Sequence, residues 1–254
     1  MSSTPFVFDI EWTENIAEIN NNSHIQNLSL HKAQEWINHS DQNHNTILVC
    51  SSGDVELNKP LSLTTNIKKV YTTNCNIPPD DIYQGIPYGT LPRQASMIAN
   101  FLNNTTKNIL AYANFGIGSH RSRPSIWNIV QQKDFIYKWR PSEPNGTPHS
   151  EETHAIYFDH LARSKFCICP RGNGIDTYRM WECLMLNTIP IVTKSDMIEH
   201  FKYDLPILDI DDYNILTEQF LNDKYEEMSN KIFNKNFLSI EYWINRWKQD
   251  ILNF

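Results

Sequence analysis

Hydrophobic positions fall into short runs set apart by polar, proline- or glycine-bearing stretches, and the runs alternate between two periods. Thr46-Ile47-Leu48-Val49-Cys50 and Phe166-Cys167-Ile168-Cys169 are short and continuous, as suits strands buried on both faces. Further strands are expected at 68–73, 108–115 and 189–192, with another short one before Ile86-Pro87-Tyr88-Gly89. Between them apolar residues recur at helical spacing. Leu30, Ala33, Trp36 and Ile37 mark one helix, the only one expected before residue 45. Ala95, Ile98, Ala99 and Leu102 mark a second over 94–102, and Ile126, Ile129 and Val130 a third that Pro124 starts. A helix over 152–162 leads into the strand at 166. Met180, Trp181, Leu184 and Met185 mark the helix after it, which Asp176 or Thr177 can cap. Ile240, Trp243, Ile244, Trp247 and Ile251 form a last stripe. Strand and helix alternate, which predicts an α/β fold. The polar stretch 103–107 divides residues 1–105 from 106–254, and no internal repeat or low-complexity tract is visible.

The densest chemistry lies in Ser164 to Val192, read as strand, loop, helix, strand. Arg171-Gly172-Asn173-Gly174 supplies flexible backbone ahead of a helix, and a loop of that kind seats phosphate because free N–H groups and the helix dipole point at it. Arg171 and Arg179 add two cations. Glu182 follows Arg179 by three residues, so both project from neighbouring turns of one face. The face offers a cation for a diphosphate and a carboxylate for ribose hydroxyls, the outline of a nucleotide-sugar site. A second such loop follows the strand at 108–115, where glycines at 116 and 118 precede His120, Arg121 and Arg123. Two such loops can converge beyond the carboxyl ends of parallel strands.

The run CPRGNGIDTYRMWECLMLNTIPIV resembles the signature of exostosin-like glycosyltransferases, glycosyltransferase family 47. The segment from Tyr203-Asp204-Leu205-Pro206-Ile207 to Asp211-Asp212-Tyr213 is similar to the family's continuation, and Ala113-Asn114-Phe115 with His120-Arg121-Ser122-Arg123 to the opening of its donor-binding domain. The resemblance covers roughly the C-terminal half of the chain. It implies a GT-B fold, here a minimal one with two Rossmann-like domains facing a cleft, whose last helix (about 240–252) crosses back to the first domain. It also implies a UDP-sugar donor, inversion at the anomeric carbon, a glycan hydroxyl as acceptor and no bound metal or other cofactor. Sugars of the xylose, glucuronate, galactose and N-acetylglucosamine types all fit such a donor site. The resemblance places the catalytic base across the cleft, in the N-terminal half. Asp54, beside Gly53 at the end of a buried strand, is the candidate base, with Asp80 and Asp81 as rivals.

Composition narrows these readings. The 22 basic and 29 acidic residues give a net charge of −7, which argues against a nucleic-acid binder and makes any basic site local. Five cysteines without a tight pattern argue for a reducing compartment. The start MSSTPFVFDIEW has no basic or apolar leader pattern, and no segment reaches transmembrane length. Animal and plant exostosins are usually anchored in the Golgi; this chain is expected in a cytoplasm, as a microbial or virus-encoded member. Its oligomeric state is left open.

Each candidate has a plainer reading. Arg171, Arg179 and Glu182 could be a surface salt-bridge group, and His120, Arg121 and Arg123 a solvated basic loop. Cys167 and Cys169 alternate along a strand without a second Cys or His pair at finger-like spacing, so buried structural thiols are expected. Asp209-Ile210-Asp211 matches the Asp-x-Asp metal motif of the other glycosyltransferase fold, but it lies past the nucleotide loop and reads as a strand end. Tyr178 and Tyr213 could stack on a uracil ring. Rival functions are a non-catalytic glycan- or partner-binding domain with a relic nucleotide site, and a different nucleotide-dependent enzyme. The sequence has no Gly-x-x-x-x-Gly-Lys-Ser/Thr loop to support the latter.

Overall fold

A computed structural model describes residues 22–40, 43–51, 53–103 and 106–254. The N-terminal start and the middle of the 103–107 stretch lie outside the described residues. Two parallel sheets carry the fold. The first has the order β1-β2-β3-β4, formed by Ile25–Leu28, Thr46–Cys50, Ile67–Thr72 and Tyr83–Gly85. The second has the order β6-β5-β7-β8-β9, with β5 at Ile109–Ala113, β6 at Ile136–Lys138, β7 at Ser164–Ile168, β8 at Ile189–Thr193 and β9 at Leu208–Ile210. Helices α1 (Leu30–His39), α2 (Pro92–Ala99), α3 (Arg123–Val130), α4 (Glu151–Ala162), α5 (Tyr178–Met185), α6 (Asp196–Glu199), α7 (Glu218–Ser229) and α8 (Ile240–Leu252) complete it. The architecture is α/β with two Rossmann-like sheets, as in GT-B proteins.

Pleating explains the continuous apolar runs. Successive residues of β2 go to opposite faces, so Ile47 and Val49 join one core and Leu48 and Cys50 another. Strand β7 divides likewise: Cys167 joins the middle core, while Phe166 and Ile168 face the outer one. The middle core is shared by both sheets. It brings Ile47, Val49 and Tyr71 of the first together with Tyr112 and Cys167 of the second, along with Trp181 of α5. Trp243 and Trp247 of α8 pack edge-on to Tyr71 at 6.2 and 5.8 Å between ring centres, and the Tyr71 hydroxyl bonds Asp250. The last helix therefore rests on the first sheet.

Four elements were not expected from the sequence. Strand β1 is half polar (Ile-Gln-Asn-Leu), β6 buries Ile136 alone, α6 is a four-residue turn of helix, and α7 buries just Leu221 and Met228. The second helix ends at Ala99 instead of Leu102, and its first residue is Pro92.

Candidate functional site

In the second sheet β5 sits between β6 and β7, so the connections after β5 and β7 leave the sheet in opposite directions. The crevice between them is the natural ligand position of an open parallel sheet. The loop after β7 is held from across the cleft. Asn74, in the left-handed region at φ 52°, accepts the Asp176 N–H at 2.9 Å and donates to Gly53 O at 3.1 Å. Gly174 packs so closely on it that a Cβ there would lie 2.6 Å from Asn74 Oδ1. One buried amide thus fixes both the Arg171–Asp176 loop and the turn carrying Asp54.

Asp176 accepts from Tyr88 N at 2.9 Å and from Trp181 Nε1 at 2.7 Å, while burial pushes its carboxyl up to about 7. Thr177 occupies the N-cap position of α5 without a side-chain capping bond. In the first turn of α5, the Arg179 guanidinium lies 5.7 Å from the centre of the Tyr157 ring, and its Nη2 reaches Asn114 Oδ1 at 3.5 Å. Its Nε is buried without a protein partner. Glu182 is 6% exposed and does not ion-pair with Arg179; it accepts from Tyr157 OH at 2.7 Å and Thr90 Oγ1 at 3.4 Å. Burial raises its pKa, against the pull of the Tyr157 hydroxyl and Arg179. The surface salt-bridge reading of this helix face is thereby set aside.

Asp54, Arg123, Asn173, Tyr178, Arg179 and Glu182 line one cleft of about 270 Å³. Arg171 lines an adjoining cavity of about 440 Å³, with Thr177 on the wall common to both. His120 and Arg121 line neither. Arg121 is exposed, and His120 sits close enough to Arg171, Arg121 and Arg123 that burial and then those charges lower its pKa. Arg123 is buried, and its fork donates to three carbonyls: Nε to Arg171 O (2.7 Å), Nη1 to Gly116 O (2.8 Å) and Nη2 to Pro170 O (3.0 Å). It clamps the two cationic loops together. Arg171 ion-pairs with Glu56 of the first half and donates to Asn173 O.

Asp54 is exposed at the rim of the cleft. Asp80 caps a turn, accepting from Ile82 N and Tyr83 N at 2.7 and 2.6 Å, and neither it nor Asp81 lines the cleft. Tyr178 stands 4.6 Å from Tyr88, ring centre to ring centre, while Tyr213 is buried elsewhere. Asp209 pairs with Lys202 and Asp211 with Lys194, at the end of β9. Sequence reasoning missed Asn74, Tyr88, Gln94, His154 and Tyr157, which complete the site and its support. His154 and Tyr157 are three apart on α4, a spacing that shares a helix face, but nothing local distinguished them from core residues.

Among the described residues no helix is long and apolar enough to cross a membrane. No curated protein matches the chain. The model of the exostosin GT47 domain matches residues 10–218, most of its length, and with cationic loops meeting at the switch point of a parallel sheet the chain belongs to that family of glycosyltransferases.

Proposed function

We propose that the cleft holds a UDP-sugar and that the enzyme transfers its sugar, with inversion and without a catalytic metal, to a glycan hydroxyl. Arg179 carries this reading: a half-buried guanidinium whose Nε lacks a partner, in the first turn of a helix that starts at the cleft. Such a group suits the charge that develops on a departing diphosphate, and Arg171 and the α5 N-terminus add to it. These fixed positive groups can do what a divalent ion does in other transferases. Glu182 retains acceptor capacity beyond Tyr157 and Thr90, which suits ribose hydroxyls, and the Tyr88–Tyr178 pair offers faces for a pyrimidine. His120 stands near Arg171 and Arg121 with its imidazole favoured in the neutral form, and Arg121 adds an outer cation.

In an inverting displacement the acceptor oxygen loses its proton to a base as it bonds the anomeric carbon, and the bond to the diphosphate breaks on the opposite face. Asp54 is assigned that base because it faces the cleft from the first half of the chain. The test is a thermal-shift titration with UDP, GDP and ATP, with and without EDTA, on wild type and Arg179→Ala. Stabilisation by UDP alone, unchanged by EDTA and lost in Arg179→Ala, is the expected result. A requirement for added magnesium or manganese would sink the metal-free mechanism, and absence of any nucleotide effect would sink the donor site.

A further inference from the structure

Beneath the motif loop lies a group of side chains that the transfer reaction does not use. The thiols of Cys167 and Cys169, near the end of β7, meet that of Cys183 on α5, and all three sulfurs lie within 4.8 Å of one another. Cys169 and Cys183 are 3.5 Å apart. All three are buried, and no disulfide joins them. An ion bonded to three thiolates at about 2.3 Å needs the sulfurs roughly 3.8–4.0 Å apart, so the group has the dimensions of a thiolate site within small side-chain adjustments.

We propose that Cys167, Cys169 and Cys183 form a three-thiolate site for a thiophilic d¹⁰ divalent cation, zinc or its probe cadmium. The chemistry of the donors selects such an ion over magnesium or calcium, which take oxygen ligands. Charge favours it as well. Binding releases three protons and leaves three thiolates around a 2+ ion, a net charge of −1. The Arg179 guanidinium, close enough to act on Cys167 and Cys169, supplies the compensating +1. Cys169 also lines the cavity of about 440 Å³, which gives the ion a way in. The ion would brace β7 against α5 at the base of the loop that carries Arg171 and Arg179. It is structural and touches neither leaving group nor acceptor, and a cadmium titration run without nucleotide tests it apart from the donor reading, which shares Arg179 with it.

The experiment is a titration of the reduced, metal-stripped full chain with cadmium, following the sulfur-to-cadmium charge-transfer band in the ultraviolet. One equivalent per chain is expected, displaced by zinc competition. Cys169→Ala and Cys183→Ala should weaken binding by about 100-fold or more, beyond what loss of an outer partner does. Cys50→Ala, in the first sheet, should leave it unchanged. Should the alanine variants fail to fold, alkylation of wild type in moderate urea replaces them. Cadmium must then protect Cys167, Cys169 and Cys183 but not Cys50 or Cys75. No band in folded wild type, a band untouched by Cys183→Ala, equal protection of all five thiols, or a Cys169–Cys183 disulfide in protein isolated under reducing conditions would each overturn the site.

Discussion

Asn74 Oδ1 accepts the backbone N–H of Asp176 at 2.9 Å, joining residues 102 apart in the sequence across the two halves of the fold. The same oxygen limits Gly174, because a methyl there would intrude to 2.6 Å. Gly172 has more room, its nearest contact being a terminal nitrogen of Arg123 at 3.5 Å. Gly174→Ala is therefore expected to destabilise the protein by about 1–3 kcal/mol, as over-packing does, and to displace the loop. Gly172→Ala should cost clearly less. Urea midpoints of the two variants make the comparison, and equal losses would show that Asn74 does not police this loop.

Arg123 presents a rigid fork to three carbonyls on two loops, a pattern that a lysine cannot reproduce. Arg123→Lys keeps the charge and loses most of the clamp. Its expected cost is about 2–3 kcal/mol, that of one or two charge-assisted hydrogen bonds in a buried setting. If Arg123 served the donor's charge alone, the lysine variant would keep wild-type stability and lose only nucleotide affinity. Denaturant melts without ligand separate the two roles.

What could be read in the sequence follows from burial. Strand β2 was legible because all five of its residues are buried, and α8 because Trp243 and Trp247 recur on one face. Gln26 and Asn27 hid β1, and the polar surface of α7 hid a helix with two buried residues. In the site, Arg179 and Glu182 were legible because they share one helix face beside a glycine loop. Asn74 and Tyr157 reach the same place from 105 and 22 positions before Arg179, brought there by parallel strands and their crossovers. No local pattern encodes that convergence. Nor could spacing reveal that Arg123 spends its donors on carbonyls from residues 116, 170 and 171.

His200 ties the halves together and should make stability depend on pH. Gly85 N donates to its Nδ1 at 3.0 Å, so the ring proton sits on Nε2 and is donated to Ile77 O at 2.9 Å. A second ring proton would break the Gly85 bond, and burial lowers the pKa below its usual 6.5. The nearby carboxylates Asp196, Asp80 and Glu199 act in the opposite direction but are outweighed. The unfolded chain thus takes up a proton before the folded one does. Stability from this residue is complete above about 6.5 and falls as pH drops from there towards the folded pKa. The stability gap between wild type and His200→Gln should shrink over that window. A gap constant from pH 8 to 5 would mean that the ring titrates alike in both states.

Asp176 works with the opposite sign. Its folded pKa is raised to about 7 from 3.8, so the folded state holds its proton while the unfolded chain has released it. Stability contributed by the protonated form is whole below about 4 and lost as pH rises through about 7. Asp176→Asn keeps an acceptor for one of its two donors, Tyr88 N and Trp181 Nε1, and cannot ionise. Relative to wild type it should gain stability from pH 4 to 7, in paired urea melts at each pH. A flat difference would place the ionised carboxylate at ease in its buried site.

The last expectation tests the role proposed for Glu182. Its carboxylate is held by Tyr157 OH at 2.7 Å and Thr90 Oγ1 at 3.4 Å, a contact set that orients it and leaves lone pairs free. If those lone pairs receive ribose hydroxyls, UDP must bind more tightly than 2′,3′-dideoxy-UDP in wild type, by about tenfold or more for a charge-assisted bond of roughly 1.5–3 kcal/mol. Glu182→Gln should lose most of that discrimination while keeping affinity for the diphosphate, the part of the donor assigned to Arg179 in the proposed reading. Tyr157→Phe removes the orienting hydroxyl without touching the carboxylate, so it should lower stability by about 1–3 kcal/mol and reduce the discrimination only in part. Calorimetric titration of both nucleotides into the three proteins reads every term. Equal affinity for the two nucleotides in wild type would take Glu182 away from the ribose and leave it as a support for Tyr157 under the Arg179 guanidinium.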